Sequence, residues 1–114
     1  MPGEWTNEAN ISITVCDKDS KILEMNQKAI ETFANYGGAA LIGQNLKDCH
    51  PEEANKKIDD MMANQSLHAY TIEKDGEKKL IYQAPWFQNG EHMGIVELSL
   101  PLPPNTPHFN RDKE

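Results

Sequence analysis

Two glycine-containing dipeptides in the second half of the chain constrain its fold most strongly. Asp75-Gly76 and Asn89-Gly90 are each flanked by stretches in which apolar and polar residues alternate. Asp-Gly and Asn-Gly favour two-residue hairpin turns, because both turn positions require a positive φ. The flanking stretches, residues 69–74, 78–87 and 92–100, are therefore predicted to form three consecutive antiparallel strands.

The first half of the chain begins with a predicted hairpin and continues with helices. Residues 11–16 and 21–25 alternate as strands do, and the turn between them is rich in Asp and Ser. Asn26 is a good N-cap for a following helix of two or three turns. Pro51 fits the first position of a longer helix, which is predicted to run to about Asn64.

This order of elements predicts an α+β fold. Strands that flank a helical block meet most economically in one antiparallel sheet, with the short helices packed on one face. Residues 1–10 are predicted to be an N-terminal cap segment, residues 11–101 the folded domain, and residues 102–114 a flexible proline-rich tail.

Length and charge exclude several classes of protein. The 114 residues are enough for one domain with a single core. The net charge of −7, from 18 acidic and 11 basic residues, disfavours nucleic acid and anionic membranes as partners. Neither a secretory signal nor a transmembrane stretch is visible, so a cytoplasmic location is expected. In that compartment Cys16 and Cys49 are expected to be free thiols.

Three parts of the sequence together resemble the PAS family of sensor domains. Val15 to Asn26 is similar to the family's first hairpin and the asparagine that starts its first helix, and Leu41-Ile42-Gly43-Gln44-Asn45-Leu46 is similar to its central glycine segment. The two C-terminal hairpins match its last three strands. Cys49-His50-Pro51 and residues 93–97 resemble in particular the PAS domains found with hemerythrin-like domains in bacterial proteins.

The resemblance implies a five-stranded antiparallel sheet cupped against short helices, an internal pocket and, frequently, a homodimer. Usual PAS roles are binding a small ligand or cofactor and passing a conformational change to another module. The predicted ligand-binding residues come from both halves of the chain: Ile13, Val15, Phe33, Leu41, Leu46, Cys49, His50, Ile58, Met62, Tyr70 and Tyr82.

Cys49 and His50 are the most reactive side chains in this set. Light-sensing, flavin-binding PAS domains carry a cysteine directly after the Gly-x-Asn of the central segment, where this chain has Leu46. Haem-binding relatives carry a histidine inside the long helix, whereas here only His50, at its start, is available as an axial ligand. No set of residues has a recognised metal-ligand spacing, and the sequence does not identify a cofactor.

Glu97 has two interpretations. Alternation places it on the face of its strand opposite Val96 and Leu98, so it is either a solvent-facing acid or a buried acid that contacts a ligand.

No catalytic motif is present, so the chain is not predicted to be an enzyme. The sequence predicts a non-enzymatic sensor and signal-transduction domain that binds a small ligand, forms a homodimer, or does both. The alternatives are a structural homodimerisation module whose pocket is filled by its own side chains, and a haem or metal redox sensor acting through Cys49 and His50.

Overall fold

One antiparallel sheet of five strands organises the molecule, in the order β2-β1-β5-β4-β3. The computed structural model describes residues 4–49 and 51–113. The strands are β1 (Ser12–Asp17), β2 (Ile22–Met25), β3 (His68–Lys74), β4 (Glu77–Gln88) and β5 (Glu91–Leu102). The first and last strands of the sequence, β1 and β5, are neighbours at its centre. The predicted α+β class and the antiparallel sheet are confirmed.

Short helices connect β2 to β3. They are α2 (Gln27–Thr32), three 3₁₀ turns (Ala34–Tyr36, Gly38–Leu41 and Leu46–Cys49) and α3 (Glu52–Asn64). A short helix, α1 (Glu4–Asn7), precedes β1, and a further 3₁₀ turn (Arg111–Lys113) follows β5. The predicted end of α3 at Asn64 is confirmed, and Gln65 terminates it in the left-handed conformation. Pro51 was predicted at the first helical position, but it is the N-cap of α3, and the helix begins at Glu52.

The two predicted hairpin turns form as expected. φ is 54° at Asp75 and 78° at Gly76, and it is 53° at Asn89 and 82° at Gly90. These paired positive values belong to the turn whose twist matches that of the flanking strands. The β3–β4 register is unbroken, while the β4–β5 register shifts once, between Trp86 and Phe87.

Asn26 joins the N-terminal segment, β1 and α2. Its side-chain oxygen accepts hydrogen bonds from the backbone N–H groups of Ile13 and Ala29, both at 3.0 Å. Its side-chain nitrogen donates to the carbonyls of Thr6 and Ile11 at 2.8 and 2.7 Å. The N-terminal segment is thus held through backbone carbonyls, and Trp5 remains 72% exposed.

The helices cover one face of the sheet, which we call the inner face. Two small clusters of buried side chains fill the space between them: Cys16, Ile58, Met61 and Ile95 beside α3, and Ile22, Met25, Ala29 and Leu41 beside α2. Because Cys16 belongs to the first cluster, Ser12 and Thr14 on the same strand also point to the inner face, and both are buried.

The opposite, outer face carries a continuous apolar surface. Ile13 pairs with Leu98, and Leu98 pairs with Tyr82, across three neighbouring strands. We define the outer apolar surface as the eight apolar residues on this face: Ile13, Val15, Leu80, Tyr82, Ala84, Val96, Leu98 and Leu100. All of them are half-buried or exposed. Alternation along each strand is thus present, but the apolar side of β1 and β5 points away from the helices.

Candidate functional site

A cavity of about 250 Å³ lies between the inner face and the helical segment. Its wall is mostly apolar and comes from β2, α2 and the 3₁₀ turns: Ile22, Met25, Phe33, Leu41 and Leu46, with Tyr36 at its edge. Two polar side chains of the central strands, Thr14 and Glu97, complete the lining. A mostly apolar cavity with a few convergent polar groups is the usual form of a small-molecule site.

A second, more open cleft of about 530 Å³ continues from this cavity along β3 and β4. The two share Phe33, Tyr36 and Glu97 as lining residues. The cleft adds Tyr70 and other side chains of the inner face, and its far end carries charged groups such as Lys79. The cavity and the cleft therefore adjoin at these two aromatic rings and Glu97.

The glycine segment after α2 forms one wall of the cavity by pairing with the first hairpin. The Ile22 N–H donates to the Gln44 carbonyl at 2.9 Å, and the Gly43 N–H donates to the Ile22 carbonyl at 2.7 Å. The Asn45 side chain donates to the Asp19 carbonyl at 3.0 Å. This pairing holds Leu46 where it packs against both core clusters.

One row of the inner face crosses all five strands and is mainly polar. Successive cross-strand partners are His68, Gln83, Glu97, Thr14 and Met25. The Gln83 Nε2 donates to Glu97 Oε2 at 2.6 Å, and Gln83 Oε1 lies 3.1 Å from His68 Nδ1. A carboxylate only accepts hydrogen bonds, so it fixes the orientation of the Gln83 amide, and His68 Nδ1 must then be the donor.

Glu97 sits at the junction of the cavity and the cleft. Within the residues that the structure describes, no ion pair involves its carboxylate. Burial raises the pKa of the nearby Tyr70 hydroxyl, and the negative charge of Glu97 raises that pKa further. Tyr70 therefore stays a neutral hydrogen-bonding group at physiological pH.

Thr14, which carries a hydroxyl, lines the same cavity as Glu97. Its side chain is only 8% exposed. Among the described residues its Oγ1 has no hydrogen-bond partner. A buried hydroxyl without a partner is energetically unfavourable, and a ligand group can supply the missing bond.

Four of the predicted ligand-binding residues line these spaces: Phe33, Leu41 and Leu46 at the cavity, and Phe33 and Tyr70 at the cleft. Three others do not reach them. Ile13, Val15 and Tyr82 lie on the outer face, because the strand phase places Ser12, Thr14 and Cys16 on the inner face instead.

Ile58 and Met62 lie at the first core cluster, away from the cavity lining. Ile58 is buried with Cys16, and Met62 packs against that cluster. Burial is the main cause that raises the pKa of the Cys16 thiol, with smaller contributions from Asp17 and Glu97. Cys16 is therefore a poorly reactive thiol that serves packing.

Cys49 and His50, the other two predicted ligand-binding residues, fall at the gap in the described part of the chain. The backbone of Cys49 belongs to the turn before α3, while its side chain and all of His50 lie outside the described residues. In the part of the chain that is described, no three His, Cys, Asp or Glu side chains are grouped as metal ligands.

Sequence reasoning missed most of the polar row. His68, Gln83 and Thr14 have no motif around them, and their proximity depends on the register of four strands. Glu97 was recognised as lying opposite Val96 and Leu98, and this is confirmed. Glu97 lies on the inner face of the sheet, which the helices cover.

Comparison with known proteins identifies the family. The PAS domain family model matches residues 10–94, and the chain belongs to that family. PAS domains are generally sensory modules without catalytic activity. No curated protein matches the chain. No helix among the described residues is long and apolar enough to cross a membrane.

Solved structures share the fold at low identity. The PAS domain of the histidine kinase ThkA is 23% identical, with a TM-score of 0.63 over 79% of this chain and 97% of that chain. The Aer2 receptor from Vibrio cholerae, described as a dual PAS-haem oxygen sensor, is 12% identical, with a TM-score of 0.61 over 82% and 95%. The PAS domain of an HTR-like protein from Haloarcula marismortui is 14% identical, with a TM-score of 0.60 over 86% of each chain.

Proposed function

We propose that this PAS domain senses a small molecule that binds in the cavity between the inner face and the helical segment. One observation carries the proposal: a cavity of about 250 Å³ with an apolar wall opens beside the Glu97 carboxylate, which has no ion-pair partner among the described residues, and the Thr14 hydroxyl, which has no hydrogen-bond partner among them. A pocket filled by its own side chains would lack this space. Binding transmits a signal only if the ligand prefers one of two conformations.

We expect 2-phenylethanol, a small neutral probe, to bind in this cavity. Carbon-13 methyl NMR should show the Met25 signal shifting on titration, because Met25 lines the cavity. Leu41→Trp should abolish the shift by filling the space. Leu67→Trp, the same change at an exposed position between α3 and β3, should preserve it. Shifts that persist in Leu41→Trp would place the probe elsewhere and contradict the proposal.

A second candidate function is homodimerisation through the outer apolar surface. Leu98 lies at its centre, paired with Ile13 on one side and with Tyr82, 36% exposed, on the other. A contiguous apolar surface on a sheet face that no helix covers is typical of protein–protein contacts. A two-fold contact buries the same surface on both copies, so a single chain type is sufficient.

We expect the protein to sediment as a dimer and Leu98→Lys to sediment as a monomer. A charge at the centre of a buried interface loses its hydration without gaining a partner, which weakens association by about 2 kcal/mol or more. Leu67→Lys, at an exposed loop position, is the control and should remain dimeric. A monomeric wild-type protein in analytical ultracentrifugation would rule out this function.

The proposal also covers the location of the protein, its lack of catalytic activity and the limits of the domain. We propose a non-enzymatic domain of a bacterial cytoplasmic protein, supported by the resemblance of Cys49-His50-Pro51 to PAS domains found with hemerythrin-like domains. Its limits are taken as residues 11–101. Haem or metal sensing through Cys49 and His50 is the remaining alternative, and the Soret band in an absorbance spectrum of freshly purified protein tests its haem form.

A further inference from the structure

The charge balance around Glu97 restricts what the cavity can bind. Its Oε2 is satisfied by the Gln83 amide, which is neutral. The two lysines of the cleft lining lie towards its far end: Lys79 is opposite Pro101, four residues along β5 from Glu97, and Lys74 is opposite Glu77. The Lys79 ammonium is 3.8 Å from the Glu77 carboxylate. The negative charge at the cavity is therefore left without a countercharge by the described residues.

Thr14 places a second acceptor next to this carboxylate. Thr14 and Glu97 are direct cross-strand partners on the inner face, and side chains in such pairs lie about 4.5–5.5 Å apart at Cβ. The Thr14 hydroxyl is buried and without a partner in the described structure. An ammonium group can donate to both side chains at once and also neutralises the Glu97 charge, whereas a ligand hydroxyl has only one proton to donate and brings no charge.

The rest of the cavity wall is apolar and therefore favours a ligand with an apolar part. Ile22, Met25 and Leu41 are all nearly fully buried, and they offer no polar side-chain group to a ligand. Phe33 and Tyr36 lie where the cavity meets the cleft, and aromatic faces attract cations. An anionic ligand would meet the Glu97 charge in the same confined space, which is unfavourable.

We propose that the cavity binds a small molecule with one protonated amine and an apolar alkyl or aryl body. The ammonium group donates to Glu97 and to the Thr14 hydroxyl, and the apolar body occupies the space lined by Ile22, Met25 and Leu41. The inference rests on the proposed ligand-binding function and adds the chemical class of the ligand. Charge-assisted hydrogen bonds of this kind are about twice as strong as neutral ones, so the amine decides the selectivity.

Three probes of one shape test the selectivity: 2-phenylethylamine, 2-phenylethanol and phenylacetate, titrated by NMR at pH 7. We expect the amine to bind at least about tenfold more tightly than the alcohol, and phenylacetate to bind more weakly than either. This comparison uses the unmodified protein, so it does not depend on the folding of a variant.

Variants then assign the selectivity to the two side chains. In Glu97→Gln the affinity for the amine should fall to that for the alcohol, while the affinity for the alcohol changes less than about threefold. Thr14→Val should weaken amine binding several-fold. Glu91→Gln removes an acid from the exposed start of the same strand and should leave both affinities unchanged.

The outcomes separate the two proposals. If the alcohol binds as tightly as the amine, or if Glu97→Gln keeps the preference for the amine, the inference about ligand class is wrong and the ligand-binding function stands. If none of the three probes binds, the ligand-binding function fails, and the inference fails with it.

Discussion

Replacing Gly94 by alanine is expected to lower the free energy of unfolding by at least about 3 kcal/mol, the largest effect of an added methyl group at any glycine that the structure describes. A Cβ at this position would lie 2.0 Å from the Cys16 carbonyl oxygen and 2.9 Å from the Asp17 Cα. Both atoms are backbone in the centre of the sheet, where β1 and β5 pair, and neither can rotate away. Trp86, opposite Gly94, donates its indole N–H to the same Cys16 oxygen at 3.0 Å.

Urea unfolding followed by circular dichroism measures this effect, and Gly76→Ala is the matched control. Gly76 also has a positive φ, 78°, but a Cβ there would have no neighbour within 4 Å. Its replacement should therefore cost only the backbone strain, about 1 kcal/mol. Equal losses at the two positions would show that conformation, and not the close approach of β1 and β5, dominates at Gly94.

Asn26→Ala is expected to be the second most destabilising change, at about 3 kcal/mol. The substitution removes four hydrogen bonds to backbone groups of three different segments, one of which is the cap of α2. The loss exceeds that of an ordinary N-cap because the N–H of Ile13 and the carbonyls of Thr6 and Ile11 also lose this partner.

Asn45→Ala provides the comparison for Asn26. The Asn45 side chain makes two hydrogen bonds to backbone, with Asp19 and Lys47, and it is more accessible to water than Asn26. Its replacement should cost about 1 kcal/mol in the same unfolding experiment. Faster amide exchange at Ile13 and Ala29 in Asn26→Ala alone would locate the damage. A loss at Asn45 as large as that at Asn26 would contradict the linking role of Asn26.

The candidate site and the outer apolar surface share one strand. Glu97 points to the cavity, while its chain neighbours Val96 and Leu98 point to the outer face. A ligand that binds Glu97 differently in two conformations of β5 therefore acts on both faces at once. This gives the proposed sensor a short physical route from its ligand to a partner.

Local sequence determined the elements and their turns. Asp75-Gly76 and Asn89-Gly90 define the hairpins because their residues accept positive φ. The α3 helix ends at Asn64, where apolar helical spacing gives way to strand alternation. These signals act within a few residues, so the antiparallel α+β class could be predicted from them.

Only the tertiary structure decided which side of each strand faces the helices. Alternation in β1 separates Ile13 and Val15 from Thr14 and Cys16, but a period of two is the same whichever side is covered. The covering side is set by contacts of Cys16 and Ile95 with Ile58 and Met61, which are remote in sequence. The apolar side of β1 and β5 was thereby left on the outer face, and Thr14 and Glu97 were brought together at the cavity.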